Sequence, residues 1–410
     1  MSSRIEHRLD QRWSVTGAFN YADQRRDQNN IYLQAIQPDG SADVYLYYAP
    51  DQSRKPLNAN LTFNGRFDTG DVRHDLSFGY AHSRMSARWG DGFWGQIGST
   101  NIHNPTAINQ PGLSDSAYPA ARWREHGVFV NDVLALSPEW DLHLGGRHAR
   151  IDRRFFNADG STYGAYQKSR FTPSVAAVFK PIRSLSVYAT YAEGLEQGGT
   201  APLGTTNANA VMAPLVSKQF EAGLKGEVGQ MSWEASLFRI AKAAEYTRSN
   251  ADSSSTFVQD GRQVHQGLEL SSSGKLSREL TMFGSAMWLD AKLADTADPT
   301  VSGKRPAGVA AHRLAMTTEY APHGLAGWTF VANWSRTGKR AVTAANSVFA
   351  PDYDVFGLGI RHEGRLGGYE VTVRVSIDNL FDKSYWGTVY DDYLVPGAPR
   401  TAWASMSLSF

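Results

Sequence analysis

No cysteine occurs among the 410 residues. That single absence removes disulfide frameworks, thiolate-held zinc, iron–sulfur clusters and thiol nucleophiles. Long apolar runs are also missing: nothing approaches the roughly 18 consecutive residues that a membrane-crossing helix needs. Nor is there an excess of either charge. The 41 Lys and Arg nearly cancel the 40 Asp and Glu, so no global basic field invites a nucleic-acid partner. The opening run Met1-Ser-Ser-Arg-Ile-Glu-His-Arg-Leu9 has neither an apolar h-region nor a small-residue cleavage site.

What the chain does carry is a strand period. Aromatics reach 12% in a sequence whose mean hydropathy is −0.40. Membrane β-strands combine these properties, because lipid-facing and lumen-facing residues alternate and the average stays polar. Val371, Val373, Val375 and Ile377 alternate with Thr372, Arg374, Ser376 and Asp378. Leu185, Val187, Ala189 and Tyr191 alternate with Ser186, Tyr188, Thr190 and Ala192, and Trp328, Phe330, Ala332 and Trp334 repeat the pattern. Sustained helical periodicity is hard to find.

Connections of two kinds follow one another. Short turns are expected at Asp10-Gln-Arg12, Asp68-Thr-Gly-Asp71, Ser137-Pro-Glu139, Lys180-Pro-Ile-Arg183, Gly226-Glu-Val-Gly229, Ser273-Gly-Lys-Leu-Ser277, Ala321-Pro-His-Gly324 and Arg365-Leu-Gly-Gly368. Long polar loops are expected over Gly90–Pro119, Glu196–Ala213, Ala294–Arg305, Ala341–Pro351 and Gly387–Pro396. Short turns at one end and long loops at the other describe an antiparallel transmembrane β-barrel, with the short turns periplasmic and the long loops extracellular. About 17 strands result. The first (Ile5–Leu9) and the last both run inward. A closed single-chain barrel needs an even count, so the expectation is a barrel over 1–410 that is incomplete at its N-terminus. Magnitude decides the faces: an Arg turned to lipid near the midplane costs roughly 2–4 kcal/mol. The Val/Ile row therefore belongs against lipid, with Arg374 and Asp378 inside.

Near the C-terminus, Asn379-Leu-Phe-Asp-Lys-Ser-Tyr-Trp386 is followed by Gly397-Ala-Pro-Arg-Thr401, then by a strand alternating Ala402, Ala404, Met406, Leu408 and Phe410 with Trp403, Ser405, Ser407 and Ser409. The first run resembles the NLFDKxYW signature of TonB-dependent siderophore receptors, in which Asn379, Leu380, Phe381, Asp382, Tyr385 and Trp386 match. Gly397, Pro399 and Arg400 resemble the GxPR segment that opens the last strand of that family. The terminal alternation of Met406, Leu408 and Phe410 is similar to the signal read by the barrel-assembly machinery. Upstream, Phe257–Leu270, Tyr191–Leu195 and Ser217–Lys225 resemble the family's middle strands, with Gln259, Asp260 and Val264 departing from the usual pattern.

The resemblance implies a Gram-negative outer-membrane receptor and transporter of ferric siderophores, energised through TonB. The family barrel has roughly 22 strands and encloses an N-terminal plug that contacts TonB. No plug and no TonB box can be matched, so the expectation is the C-terminal part of a receptor, whose partners are the chelate, outer-membrane lipid and the assembly machinery. A passive pore and a non-functional remnant are the rival readings. No cofactor and no enzymatic activity are implied.

Other motifs carry less. Gly90-Asp-Gly-Phe-Trp-Gly95 fits GxGxxG, but the residues after it do not read as the helix a dinucleotide site requires. His143 and His148, five apart on one strand, point to opposite faces and cannot share a metal. Asp391-Asp392 reads as a solvated loop pair. The candidate ligand-binding residues are aromatics expected in outer loops: Trp89, Phe93, Trp94, Tyr390 and Tyr393. Rings facing a polar vestibule grip a flat chelate by stacking and dispersion. Trp89 fits the outer aromatic girdle equally well.

Overall fold

The computed structural model describes residues 1–410 except Asp91, Ser114, Asp115, Leu203, Asp391, Asp392 and Phe410; for Tyr390 it describes the backbone only. The Asp391-Asp392 pair and the terminal Phe410 therefore lie outside the described residues. No helix occurs among those described, and the chain is all-β and antiparallel. It divides into two compact units, residues 1–134 with 144–173, and residues 135–143 with 174–410.

The first unit contains β1 (Ser2–Arg8), β2 (Trp13–Tyr21), β3 (Gln24–Gln34), β4 (Ser41–Thr69), β5 (Val72–Gly90) and β6 (Phe93–Asn101). It also holds most of β7 (Ala117–Ala135) and β8 (Trp140–Phe156), and the first half of β9 (Thr162–Ile182). The inner part of β4 lies between β2 and β5, with Phe63 opposite Val15 and Phe78. Phe63 and Phe78 stack at 5.3 Å, and Trp13 joins them at 6.3 Å from Phe78. The Trp13 ring lies over Gly65, where an added Cβ would meet it at 2.5 Å. A glycine in a strand thus makes room for an interfacial aromatic.

The second unit contains the rest of β9 and β10 (Leu185–Glu196), β11 (Leu215–Val228), β12 (Gln230–Ser249), β13 (Ser255–Lys275), β14 (Leu280–Ala294), β15 (His312–Tyr320) and β16 (Trp328–Thr337). Then come the two-residue strands β17 (Arg340–Ala341) and β18 (Phe349–Ala350), followed by β19 (Tyr353–Leu366) and β20 (Tyr369–Asp378). The hairpin β21 (Trp386–Tyr390) and β22 (Tyr393–Pro396) precedes β23 (Thr401–Ser409). Of the 23 strands among the described residues, β3, β6, β17, β18, β21 and β22 belong to outer additions; the remaining 17 match the number that the turn pattern predicts. The eight short turns fall within a few residues of their expected places. Among the tightest are the two-residue link between Thr69 and Val72, and Gly367-Gly368 between Leu366 and Tyr369.

Register settles the faces in this unit. Val371, Val373, Val375 and Ile377 stand opposite Leu408, Met406, Ala404 and Ala402, while Thr372, Arg374, Ser376 and Asp378 stand opposite Ser407, Ser405, Trp403 and Thr401. The apolar face continues through Leu358 and Ile360 to Ala332 and Phe330. Leu358 is 50% exposed, Val375 51% and Met406 61%. Apolar side chains left half open along a whole face have no second sheet over them, and such a patch calls for an apolar solvent. Across the sheet, the Trp403 indole N–H donates to the Asp378 carboxylate at 3.1 Å.

The two C-terminal motifs close into one knot. Asn379 is buried and left-handed at φ 50°. Its side-chain amide donates to the carbonyls of Lys383 (2.9 Å) and Ala398 (3.0 Å), and its amide oxygen accepts from the Lys383 N–H at 2.8 Å. The Asp382 carboxylate accepts the Arg400 N–H at 2.9 Å, and Gly397 N–H donates to the Tyr385 carbonyl at 2.7 Å. Tyr385 covers Gly397 closely, with 2.1 Å between its ring and an added Cβ, and stacks on Tyr353 at 4.3 Å. Leu380 donates its N–H to the Phe356 carbonyl, and Phe381 meets the Phe356 ring edge-on. These motif residues tie β20 to β23. The Asn379 side chain is central because it satisfies backbone groups from both segments.

Candidate functional site

β4 has 29 residues, whereas about 9–11 suffice for a strand to cross a bilayer. Its outer part therefore stands well beyond the apolar belt, flanked by β3 on one side and β6 on the other. Alternation gives this extension two distinct faces. On one, Ala42, Val44 and Leu46 are buried. Segment 102–113 lies against that side: Ile108 approaches Gly98, the register partner of Val44, and Gln110 accepts a hydrogen bond from Asn29 at 3.3 Å.

The other face carries a plate of four rings. Tyr32 comes from β3, Tyr45 and Tyr47 from β4, and Trp94 from β6; Tyr32 registers with Tyr45, and Tyr47 with Trp94. Trp94 is the hub, with ring centroids 5.3 Å from Tyr32, 5.6 Å from Tyr45 and 6.4 Å from Tyr47. All four are half-buried. Polar groups border them. Asp43 accepts from Gln96 at 2.9 Å and from the Ser99 hydroxyl at 3.2 Å, and the Asn30 amide donates to the Tyr32 oxygen at 3.3 Å. An apolar plate edged by amides and a carboxylate can hold a flat, partly polar ligand.

The sequence places Trp89, Phe93 and Trp94 at the start of a long loop, and this expectation needs correction. Residues 93–101 form β6, because the long β4 offers them an edge to pair with. Strand alternation then separates Phe93 from Trp94: Phe93 folds against Gly95, 2.8 Å from where a Cβ would stand, on the face opposite the plate. Trp89 sits half-buried near the end of β5. Tyr32, Tyr45 and Tyr47 were not singled out in the sequence. The available signal was the alternation of Tyr45 and Tyr47 with Val44 and Leu46. Gly90 ends β5 and Phe93 begins β6, so strands rather than a helix flank the glycine-rich run.

In the second unit the outer segments are ordered by small cores of their own. Val342, Ala350 and Val389 are buried together with Leu394 packed against them. The Arg340 guanidinium donates to the Trp386 and Gly387 carbonyls and lies 5.5 Å from the Tyr353 ring. The expected loop Gly387–Pro396 is thus largely a hairpin, in which Tyr393 pairs with Tyr390. Tyr393 is 44% exposed. A second core gathers Ala244, Tyr246, Leu293 and Val301. The segment after β10 is held down by reciprocal bonds between Asn207 and Phe257 (2.8 and 2.9 Å) and by Glu245 accepting the Gly199 N–H at 3.0 Å.

Three hairpin tips share one device. The carboxylates of Asp39, Asp159 and Asp252 accept from the hydroxyl and then the backbone N–H of Ser41, Ser161 and Ser254, which lowers each carboxyl below its ordinary range. Among the described residues, no three His, Asp or Glu side chains converge to hold a metal ion.

Residues 2–380 match the family described as TonB dependent receptor-like, beta-barrel. The chain is 28% identical over 428 residues to the ferrichrome receptor FcuA of Yersinia enterocolitica, covering 99% of this chain and 55% of that protein. It is 24% identical to the ferrichrome outer membrane transporter/phage receptor of Escherichia coli K12, over 99% of this chain and 57% of that one. Among solved structures, BauA, the ferric preacinetobactin receptor of Acinetobacter baumannii, superposes with a TM-score of 0.83 at 25% identity, covering 99% of this chain and 62% of its own. The chain spans little more than half the length of the curated relatives it matches.

Proposed function

The chain belongs to the TonB-dependent receptor β-barrel family of the Gram-negative outer membrane, and from that premise we propose that it captures a ferric siderophore at its outer end and lines its passage inward. The observation that carries this reading is the ring plate of Tyr32, Tyr45, Tyr47 and Trp94, lying beyond the apolar belt with polar groups at its border. Trp94 is the principal contact and Trp89 a secondary one, with Phe93 on the opposite face of the strand; in the second unit, the half-exposed Tyr393, whose register partner is Tyr390, is proposed as a ligand contact in its own right. Names of relatives that specify ferrichrome, ferrioxamine and pyoverdine support a ferric chelate as the ligand class.

In this reading the polar phase of the strands, including Arg374 and Asp378, forms a wet inner wall, and the Val/Ile phase meets lipid. The apolar phase of β23, with Met406 and Leu408, is what the barrel-assembly machinery reads. Energy arrives from TonB through the plug that the family sets within the barrel, so the residues here account for capture and conduit rather than for coupling. The part is that of a receptor and transporter, without a catalytic step.

The test is titration of the chain in detergent with ferric ferrichrome, ferrioxamine and pyoverdine, followed by tryptophan fluorescence. Saturable quenching by at least one is expected, weakened about tenfold or more by Trp94→Ala, as loss of a buried aromatic contact implies. Absence of saturable quenching by all three, or wild-type affinity in Trp94→Ala, would overturn the reading.

A further inference from the structure

A second cluster in the first unit is distinct from the ring plate. β7 supplies Trp123, β8 Arg153 and β9 Tyr166, one side chain from each of three successive strands. The Arg153 guanidinium carbon stands 5.4 Å from the Trp123 ring centroid and 5.9 Å from that of Tyr166. Two aromatic rings thus hold one cation.

The hydrogen bonding of this stack is incomplete. Arg153 Nε and Nη1, Trp123 Nε1 and the Tyr166 hydroxyl are all buried without a partner. The nearby carboxylate of Glu125 is engaged by Arg147 at 2.9 Å, and among the described residues Arg153 makes no ion pair. A buried polar group left unpaired is costly, more so when it is charged, so four in one place ask for an explanation. The three residues are half-buried as wholes, so the cluster borders solvent while these four polar atoms lie just beneath its surface. Its chemistry is one-sided. Guanidinium and indole N–H groups donate and cannot accept, and the tyrosine hydroxyl can also donate.

We propose that Trp123, Arg153 and Tyr166 form a recognition site for an anionic oxygen group, carboxylate or catecholate, so that the chain selects negatively charged ferric chelates over neutral ones. The aromatic faces fit a planar ligand arm, and the planar guanidinium matches a carboxylate or catecholate edge. The preference for chelates rests on the receptor reading above; the anion site itself does not.

Two arms keep these apart. Without iron, salicylate is compared with its uncharged analogue salicylamide on the purified chain by saturation-transfer NMR, where a salicylate signal absent from Arg153→Gln is expected. With iron, a ferric tris-catecholate, which is anionic, is compared with a ferric tris-hydroxamate, which is neutral. Arg153→Gln is expected to weaken the catecholate about tenfold or more and leave the hydroxamate within about twofold, the size of one charged hydrogen bond. Unchanged hydroxamate binding also reports that the variant is folded. Tyr166→Phe, which removes only the hydroxyl, should weaken the catecholate by about threefold, the lower range for a neutral hydrogen bond. Equal binding of salicylate and salicylamide, or equal losses for both chelates, overturns the anion site. If neither chelate binds the wild type but salicylate still outcompetes salicylamide, the receptor reading fails and the anion site stands.

Discussion

Replacing Asn379 by alanine removes three hydrogen bonds at once, those to the Lys383 and Ala398 carbonyls and from the Lys383 N–H. At about 1 kcal/mol net each, they account for roughly 3 kcal/mol. The position is also left-handed at φ 50°, which asparagine tolerates and alanine resists by about 1 kcal/mol or more. Since Asn379 is only 3% exposed, water reaches the orphaned groups poorly and little of the loss is recovered. The expected destabilisation is therefore about 4 kcal/mol. Asn379→Gly loses the same bonds while keeping the backbone relaxed, so it should be about 1 kcal/mol more stable than the alanine variant. Urea unfolding in lipid vesicles, followed by tryptophan fluorescence, measures both. A value for Asn379→Ala within about 0.5 kcal/mol of wild type would mean that the motif does not hold β20 to β23. A glycine variant no more stable than alanine would refute the backbone part separately.

Leu358→Arg, on the apolar belt, should cost roughly 2–4 kcal/mol in the same vesicles, while Thr372→Arg on the polar phase should cost almost nothing; equal effects would contradict the face assignment. Gly397→Ala should destabilise by about 1–3 kcal/mol, because the new methyl meets the Tyr385 ring, and most of that penalty should vanish in a Tyr385→Ala background. The lowered carboxyls of Asp39, Asp159 and Asp252 give a signed expectation for acid. Their contribution is complete above the ordinary value of 3.8 and is lost as pH falls through the lower folded value. Exchange of the Ser41, Ser161 and Ser254 amides should therefore stay protected at pH 5 and lose protection only in strong acid. Loss at pH 5 would show that the tips do not depend on these carboxylates.

Much of the framework was legible because a strand between lipid and a wet wall must alternate. Val371 to Ile377 and Thr372 to Asp378 fell on the faces their polarity demanded, and Gly367-Gly368 made the tight turn their positive φ angles allow. The same logic failed over 90–119. Composition there reads as a loop, but β4 runs beyond the belt and recruits residues 93–101 as a partner strand. Phe93 and Trp94 then face opposite ways, as neighbours on a strand must.

The sequence by itself determined the antiparallel architecture, the positions of the short turns and the C-terminal signature, because each depends on residues close together in the chain. Tertiary structure alone decided which side chains share a neighbourhood. Period two says which face a residue takes, but only register says what stands beside it. That is why Trp94 acquired Tyr32, Tyr45 and Tyr47, why Asn379 reached Ala398, and why Arg153 came to lie between Trp123 and Tyr166.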